Sequence, residues 1–238
     1  MSAAGAILLA AMTSAEAIAT LLNTASASGA AKFAEAKAQV EREAAAGGAL
    51  QRFVVAVTTD DRDLRARYLE SAGPAVSQMA KLRGNPLAWY LLSVESNDCA
   101  MLARAAEGGN VQALNALGTL AAASGANLPP EILAGETAPV RAYRCFRAAA
   151  LQRDPNGLVN VGLCYLGGLG CAANARLAYE CFAAAAKMGH PEAMDHLADA
   201  CERGIGTEAD LRLSTQWKMR ARAARGDRAA EKWLEGGR

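Results

Sequence analysis

The sequence is poor in aromatic residues, and it lacks the alternation of Val, Ile and Thr with polar residues that marks β-strands. Aromatic residues make up 5% of the chain although 52% of it is hydrophobic, so alanine and leucine supply most of the apolar content. Both are strong helix formers because they lose little side-chain freedom in a helix. We therefore expect an all-α protein.

A charge excess of one sign and a long apolar run are also missing. The formal net charge is +1, so the chain as a whole is not suited to coating nucleic acid or an anionic membrane. No apolar run approaches the roughly 20 residues that a membrane-spanning helix needs. We expect no nucleic-acid partner and no membrane insertion.

The apolar N-terminal run has no positive charge before it, whereas a secretory signal carries one. The first basic residue is Lys32, although Ala25-Ser26-Ala27 resembles a small-residue cleavage site. We expect a cytoplasmic protein, and a periplasmic or secreted protein is the alternative.

Histidine occurs only twice, which leaves little material for general-base chemistry or metal binding. His190 and His196 are six residues apart, whereas zinc-binding helices place histidines at i and i+4 so that both face one side. We interpret His190 as a helix cap and His196 as a surface residue. Neither a Ser-His-Asp pattern nor a P-loop is present, so we expect no catalytic residue, no metal and no cofactor.

What the sequence does contain is an internal repeat. The segment VGLCYLGGLGC from Val161 aligns without gaps on LADACERGIGT from Leu197, at a spacing of 36 residues. Glycines and polar residues coincide at this spacing: Gly168 with Gly204, Gly170 with Gly206, and Asn174 with Asp210. An earlier, looser copy fits if residues 126–139 are a loop insertion.

Each repeat is predicted to be a pair of helices. The first helix begins at a cap followed by proline, as in Asp154-Pro155 and His190-Pro191, because proline suits the first helical position. It ends at Gly168 or Gly204, where glycine adopts the left-handed conformation that closes helices. Asn174 or Asp210 then caps the second helix.

The first part of the chain lacks this Gly-x-Gly turn but still has helical character. A capping box at Thr13 and Glu16 predicts a helix start, and Gly47-Gly48 and Gly73-Pro74 predict helix breaks. We divide the chain into an N-terminal helical region, 1–84, of degenerate repeats or a cap, and a repeat region, 85–238. The two are expected to form one continuous solenoid, closed by a helix near its C-terminus.

The pattern V-G-x-x-Y-x-x-G-x-G, followed by a capping Asn and A-x-x-C-F-x-x-A-A-x-x-G, resembles the Sel-one-like repeat, a relative of the tetratricopeptide repeat. The resemblance is good from Asp154 to Ala230 and fair from Asp98, with departures at Cys181 and Cys201. It implies a right-handed α-α superhelix, or solenoid, of helix-turn-helix repeats. It also implies a non-enzymatic adaptor that holds a protein or peptide partner.

The six cysteines allow two interpretations. Exported members of the family that the pattern resembles carry a cysteine pair in each repeat, but here only Cys145 and Cys181 recur one period apart, and there is no C-x-x-C. We expect buried free thiols, which behave as small hydrophobes. An exported repeat protein stapled by disulfides, with a ligand-binding or enzymatic role, stays open as the alternative.

A stripe on the first helices is the candidate partner site. On a helix, residues that lie opposite the inward-facing Val161 and Tyr165 point away from the packed side. They form an apolar trio in one repeat and an acidic trio in the next: Val159, Leu163 and Leu166, then Asp195, Asp199 and Glu202. In the family resembled, first helices line the concave face. We therefore expect a basic amphipathic partner there, although neighbouring helices shielding the apolar trio would give the same pattern.

Overall fold

The computed structural model describes residues 30–124, 133 and 135–236, and this part of the chain is helical without strands. Its helices are α1 Ala30–Ala45, α2 Ala49–Thr58, α3 Arg62–Arg83, α4 Pro86–Ser96, α5 Cys99–Glu107, α6 Val111–Ser124, α7 Ala138–Leu151, α8 Pro155–Gly167, α9 Ala175–Lys187, α10 Pro191–Arg203, α11 Leu211–Ala224 and α12 Arg228–Gly236. Each helix packs mainly on its neighbours along the chain. This is the organisation of a solenoid, so the predicted fold class is confirmed.

Two sequence predictions fall outside the described residues. The capping box at Thr13 and Glu16 lies in the part of the chain before residue 30. Most of the predicted insertion at residues 126–139 also lies outside, although α7 already begins at Ala138.

The first helices of the two regular repeats begin at the caps that the sequence predicts. The Asp154 carboxylate accepts a hydrogen bond from the Gly157 backbone N–H at 2.7 Å. His190 plays the same part in α10, where its Nδ1 accepts from the Ala193 N–H at 3.3 Å. Each side chain satisfies one of the free donors at the helix N-terminus, which stabilises the helix start by about 1 kcal/mol.

The predicted break at Gly73-Pro74 is wrong, because α3 runs through both residues. Pro74 removes one backbone hydrogen bond, but it lies on the exposed side of the helix, where water can solvate the freed carbonyl. Ala72 and Val76, on either side of it, are buried and hold the helix against its neighbours. The predicted break at Gly47-Gly48 is confirmed, since it separates α1 from α2.

The core is continuous across most of the described residues. One cluster of buried side chains extends from Ala36 in α1 to Cys164 in α8, and a second surrounds Phe182 in α9 and Leu197 in α10. Tyr165 packs against both clusters. The division at residue 84 coincides with the turn between α3 and α4, but it stays a prediction.

A glycine in each inter-helix turn lets one repeat rest on the repeat before it. Gly170, between α8 and α9, has a φ of +68°, and a Cβ there would overlap the backbone carbonyl of Pro139 at the start of α7. Gly206, one period later, has a φ of +70°, and its Cβ would overlap the carbonyl of Ala175 at the start of α9. Both the backbone conformation and the close approach require glycine at these positions.

We expect Gly170→Val to destabilise the protein more than Gly189→Val does. Gly189 also has a positive φ, of +86°, but a Cβ there meets nothing within 4 Å. Both variants incur backbone strain of about 1–3 kcal/mol, and only Gly170→Val must also push the turn away from α7. Denaturant unfolding of the two variants measures the difference. Equal losses of unfolding free energy would show that the turn does not rest on α7 in this way.

Arg153 occupies a position where other repeats have glycine. It has a φ of +61°, and the corresponding residues directly before the caps of α6, α10 and α12 are Gly109, Gly189 and Gly226, all with positive φ. A left-handed conformation at a residue other than glycine costs about 1–2 kcal/mol. The α7–α8 turn therefore carries strain that the turns before α6, α10 and α12 avoid.

Arg153→Gly should raise the free energy of unfolding by about 0.5–1 kcal/mol, because relief of the strain outweighs the greater freedom of glycine in the unfolded chain. The arginine side chain is exposed, so little packing is lost. Arg153→Ala is the control, since it removes the charge and keeps the strain. Thermal unfolding of both variants is the measurement, and equal stabilisation by both would assign the effect to the charge.

His190 is a buried cap, with 3% of its surface exposed. Because its Nδ1 accepts a hydrogen bond from Ala193, the neutral ring carries its proton on Nε2, which lies 2.9 Å from Oδ1 of Asn156 in α8. Burial lowers the pKa of His190 below its ordinary value of 6.5. The folded protein thus favours the neutral ring.

The protein should lose stability as the pH falls below about 6.5, because the unfolded chain then takes up a proton on His190 that the folded chain resists. His190→Asn should make this loss smaller, since an asparagine oxygen caps a helix without titrating, as Asn85 does for α4. Urea unfolding of both proteins from pH 7.5 to pH 5 is the measurement. Parallel curves would rule out His190 as the titrating group.

A candidate interaction surface on helices α8 and α10

The apolar stripe on α8 is shorter than the sequence predicts. Leu163 and Leu166 are 40% and 39% exposed, as expected for residues that point away from the core. Val159 is only 3% exposed, because it packs in the cluster that contains Met194 and Leu197 of α10. The prediction that Val159 belongs to the exposed stripe is therefore wrong: α10 covers the first half of α8 on that side.

The acidic trio lies along one face of α10, at positions i, i+4 and i+7, and each member has a basic neighbour. Asp195 pairs with Arg225, and Glu202 pairs with Lys218. Lys218 lies in α11, and Arg225 directly follows that helix. Asp199 pairs with Arg203, one turn later on α10, at 2.9 Å.

These ion pairs shape the electrostatics of the surface. The hydrogen bond from Lys218 lowers the pKa of Glu202, and the hydrogen bond to Asp195 raises the pKa of Arg225. Three carboxylates thus face three cations, and the trio is not the bare acidic wall that its own sequence suggests. Along the sequence, the basic residues of α11 and its C-terminal end look like a separate tail, whereas the structure places two of them against α10.

Leucine and carboxylate do meet where α8 faces α10. Leu166 and Asp199 line the same small cavity, of about 20 Å³, which Phe182 and His196 also line. This volume matches about one water molecule, so the cavity is a dimple in the surface and not a ligand pocket. It places the apolar and the acidic parts of the predicted stripe side by side.

His196 is not the surface residue that the sequence predicts. Its ring stacks on Phe182 with the centroids 4.7 Å apart, and its Nε2 is buried without a hydrogen-bond partner among the described residues. The stacked pair lines the same cavity as Asp199. No group of three or more His, Cys, Asp or Glu side chains in the described ranges is arranged to hold a metal ion.

The basic residues near the C-terminus are also engaged within the chain. Arg220 lies over the ring of Trp217 at 4.5 Å, and Arg222 pairs with Asp227, which caps α12. The bond to Arg222 lowers the pKa of Asp227. A continuous free basic patch is therefore not formed by these residues.

All six cysteines lie in described helices or turns, and all carry free thiols. Cys145, Cys164 and Cys201 are buried, and burial raises the pKa of Cys164 to about 11. A thiol with a raised pKa is a poor nucleophile because little thiolate is present.

In the described part of the chain, no helix combines the length and apolarity needed to span a bilayer.

Arg141 in α7 is a residue that the sequence pattern does not single out. Arginine is usually a surface residue, yet Arg141 is only 9% exposed. It borders a cleft between α5, α6 and α7. The sequence gives one indication of this burial: Arg141 is next to Ala142, a small residue on the face of the repeat that packs. A long side chain beside such a small residue can be covered by the preceding repeat.

Three segments of the chain match the Sel1 repeat: residues 135–154, 155–190 and 191–217. A Sel1 repeat protein from Oxalobacter formigenes is 23% identical with a TM-score of 0.47, over 52% of this chain and 88% of that protein. A protective antigen of uropathogenic Escherichia coli strains, with an SLR fold, is 19% identical with a TM-score of 0.49, over 84% of this chain. The match spans about half, 52%, of that antigen's length. No curated protein matches the sequence significantly.

The middle match covers α8 and α9, from the proline after one cap to the cap of the next unit. The structural unit and the repeat thus have the same bounds, and the 36-residue spacing found in the sequence is the length of this match. Residues 135–217 of this chain therefore match a run of three Sel1 repeats.

Proposed function

We propose that the protein is a non-enzymatic scaffold that binds a protein or peptide partner on the surface formed by α8 and α10. The Sel1 repeat supports the scaffold role, since such helical repeats generally mediate protein–protein interaction. Stacked helix pairs also offer an extended surface on which a partner can lie.

The exposure of Leu163 and Leu166 is the observation that carries this proposal. The two leucines are about one turn apart and each about 40% exposed, and Leu166 lines the same small cavity as Asp199 of α10. An apolar patch bordered by polar residues is typical of interaction sites. Burial of this patch would supply most of the affinity, at roughly 25 cal/mol per Å².

We propose further that the partner is an amphipathic helix or extended peptide with Lys or Arg near its apolar anchors. The carboxylates beside the leucines are already paired, but exposed ion pairs contribute only about 0–1 kcal/mol each. A basic side chain of the partner can therefore replace Arg203, Lys218 or Arg225 at little cost. Because charges of both signs are present, steering at long range is weak, and the leucines dominate the binding energy.

We place this scaffold in the cytoplasm. The support is the state of the cysteines: six free thiols, half of them buried, suit a reducing compartment. The disulfide-stapled alternative has no structural observation in its favour.

Replacing both Leu163 and Leu166 by Ser should weaken partner binding at least tenfold, mainly through faster dissociation, because an apolar contact is lost and folding is not affected. Leu177→Ser is the matched control, since Leu177 of α9 is 37% exposed and lies on a second helix. A photo-crosslinking residue at position 163 identifies the partner, and surface plasmon resonance then measures the rates. Equal affinities of all three proteins for that partner would place the site elsewhere.

Removing the cations that mask the carboxylates should speed association with a basic partner. The pair of changes Lys218→Gln and Arg225→Gln exposes Glu202 and Asp195, which should raise the association rate and make it depend more strongly on salt. The amide variants Asp195→Asn and Glu202→Gln remove the two negative charges, so they should lower the association rate. If neither pair of changes affects the rate, the partner does not contact the carboxylates.

A further inference from the structure

A cleft of about 300 Å³ opens between α5, α6 and α7, away from the surface proposed for the partner. Its apolar walls are Ala106, Leu114 and Ala148, and Arg141 is part of its lining. None of the lining residues belongs to α8 or α10, so this cleft is independent of the function proposed above.

Arg141 is the unusual feature of this cleft. It is nine-tenths buried, and its Nε is inaccessible and has no hydrogen-bond acceptor among the described residues. A guanidinium stays charged at every physiological pH, so it cannot relieve its burial by losing a proton. A buried charge without a hydrogen-bonded partner is strongly disfavoured, and a ligand that supplies the partner recovers part of that cost.

Arg141 has one long ion pair but no hydrogen-bonded carboxylate near the cleft. Nη2 of Arg141 lies 3.9 Å from the Glu107 carboxylate, which is beyond hydrogen-bonding distance, and the Glu107 side chain is 60% exposed. Glu136 pairs instead with Arg144, the second cation of the cleft. The Nη groups of Arg141, unlike its enclosed Nε, are therefore the donors that an anion entering from solvent can reach.

The charges and the size of the cleft define that anion. A carboxylate accepts two parallel hydrogen bonds from a guanidinium, which is the strongest arrangement available to arginine. Glu107 at the rim repels a dianion, so a phosphate monoester fits less well than a single carboxylate. A volume near the lower limit for ligand pockets admits a short stem and excludes a large molecule.

We propose that Arg141 binds one carboxylate carried on a short apolar stem, supplied by a polypeptide. The stem contacts Ala106, Leu114 and Ala148, and the carboxylate lies against the guanidinium. Two sources offer this chemistry: the side group of an Asp or Glu residue, whose methylenes form the stem, and the free C-terminus of a polypeptide, where the side chain of the last residue takes the place of the stem. Both carry a single carboxylate close to a peptide backbone.

The test is a titration of the ¹⁵N-labelled full-length protein, followed by NMR, with two short alanine–leucine peptides. One has blocked ends and a single central Glu, and the other has a blocked N-terminus, no Glu and a free C-terminal carboxylate. We expect at least one peptide to shift the amide signals of Arg144 and Ala148 and to bind more weakly as salt is added. The peptide that binds identifies the source, and failure of both peptides overturns the proposal.

Three variants make the result specific to Arg141. Arg141→Met should weaken binding about tenfold or more, because the charged hydrogen bonds are lost. Glu107→Gln should strengthen binding, since it removes the competing carboxylate at the rim. Arg147→Gln is the matched control, because it removes the same charge from an exposed position of α7 outside the cleft and should leave binding unchanged. A loss in Arg147→Gln equal to that in Arg141→Met would reduce the effect to net charge and overturn the proposal.

The stability of Arg141→Met is an independent readout. If Arg141 is unpaired in the free protein, an apolar side chain of similar length should keep or raise the thermal midpoint. The wild type should also gain thermal stability from the bound peptide, whereas Arg141→Met should not. A midpoint lowered by Arg141→Met in the absence of peptide would show that the protein itself satisfies the guanidinium, and the site would be structural.

Discussion

The close approach between the turn of one repeat and the first turn of a helix in the repeat before it sets the register of this solenoid. At Gly170 and Gly206, the backbone of the turn lies so near the carbonyls of Pro139 and Ala175 that no side chain fits between them. Because the two contacts are one period apart, consecutive repeats are stacked with the same offset. The faces that each repeat presents to solvent follow from that offset.

A second pair of glycines controls how closely the helices within a repeat approach. Gly118 of α6 and Gly162 of α8 each leave room for a phenylalanine, Phe146 and Phe182 respectively. In the next repeat Ala198 follows Gly162 at the repeat spacing, and Lys218 follows Phe182. The lysine reaches Glu202, so the position that holds a core phenylalanine in one repeat supplies a cation to the acidic face in the next.

The sequence predicts the parts of the fold that depend on local conformation. Caps such as Asp154 and His190, and turns such as the one at Gly170, use residue types whose backbone preferences are strong enough to be recognised along the chain. Pro74 is the exception, because its position relative to solvent decides whether the helix tolerates it. That position depends on the neighbouring helices and not on the local sequence.

The candidate sites could be predicted only in part, since they depend on contacts between repeats. Helical periodicity correctly predicts that Leu163 and Leu166 are exposed. It makes the same prediction for Val159, which is buried because α10 covers it. Pairing of Asp195 with Arg225 joins residues 30 positions apart, and nothing in either local pattern indicates it. The burial of Arg141 is of the same kind, since the preceding repeat encloses it.

The contacts made by Gly170 and Gly206 also point in one direction along the chain. Each turn rests on a helix that precedes it in the sequence, so every repeat uses a surface that the ribosome has already produced. Proteins are synthesised at about 5–20 residues per second, so a 36-residue repeat takes seconds to emerge, far longer than a helix needs to form. Each new repeat can therefore dock on a finished template as it leaves the ribosome, and the solenoid grows in the order of its translation.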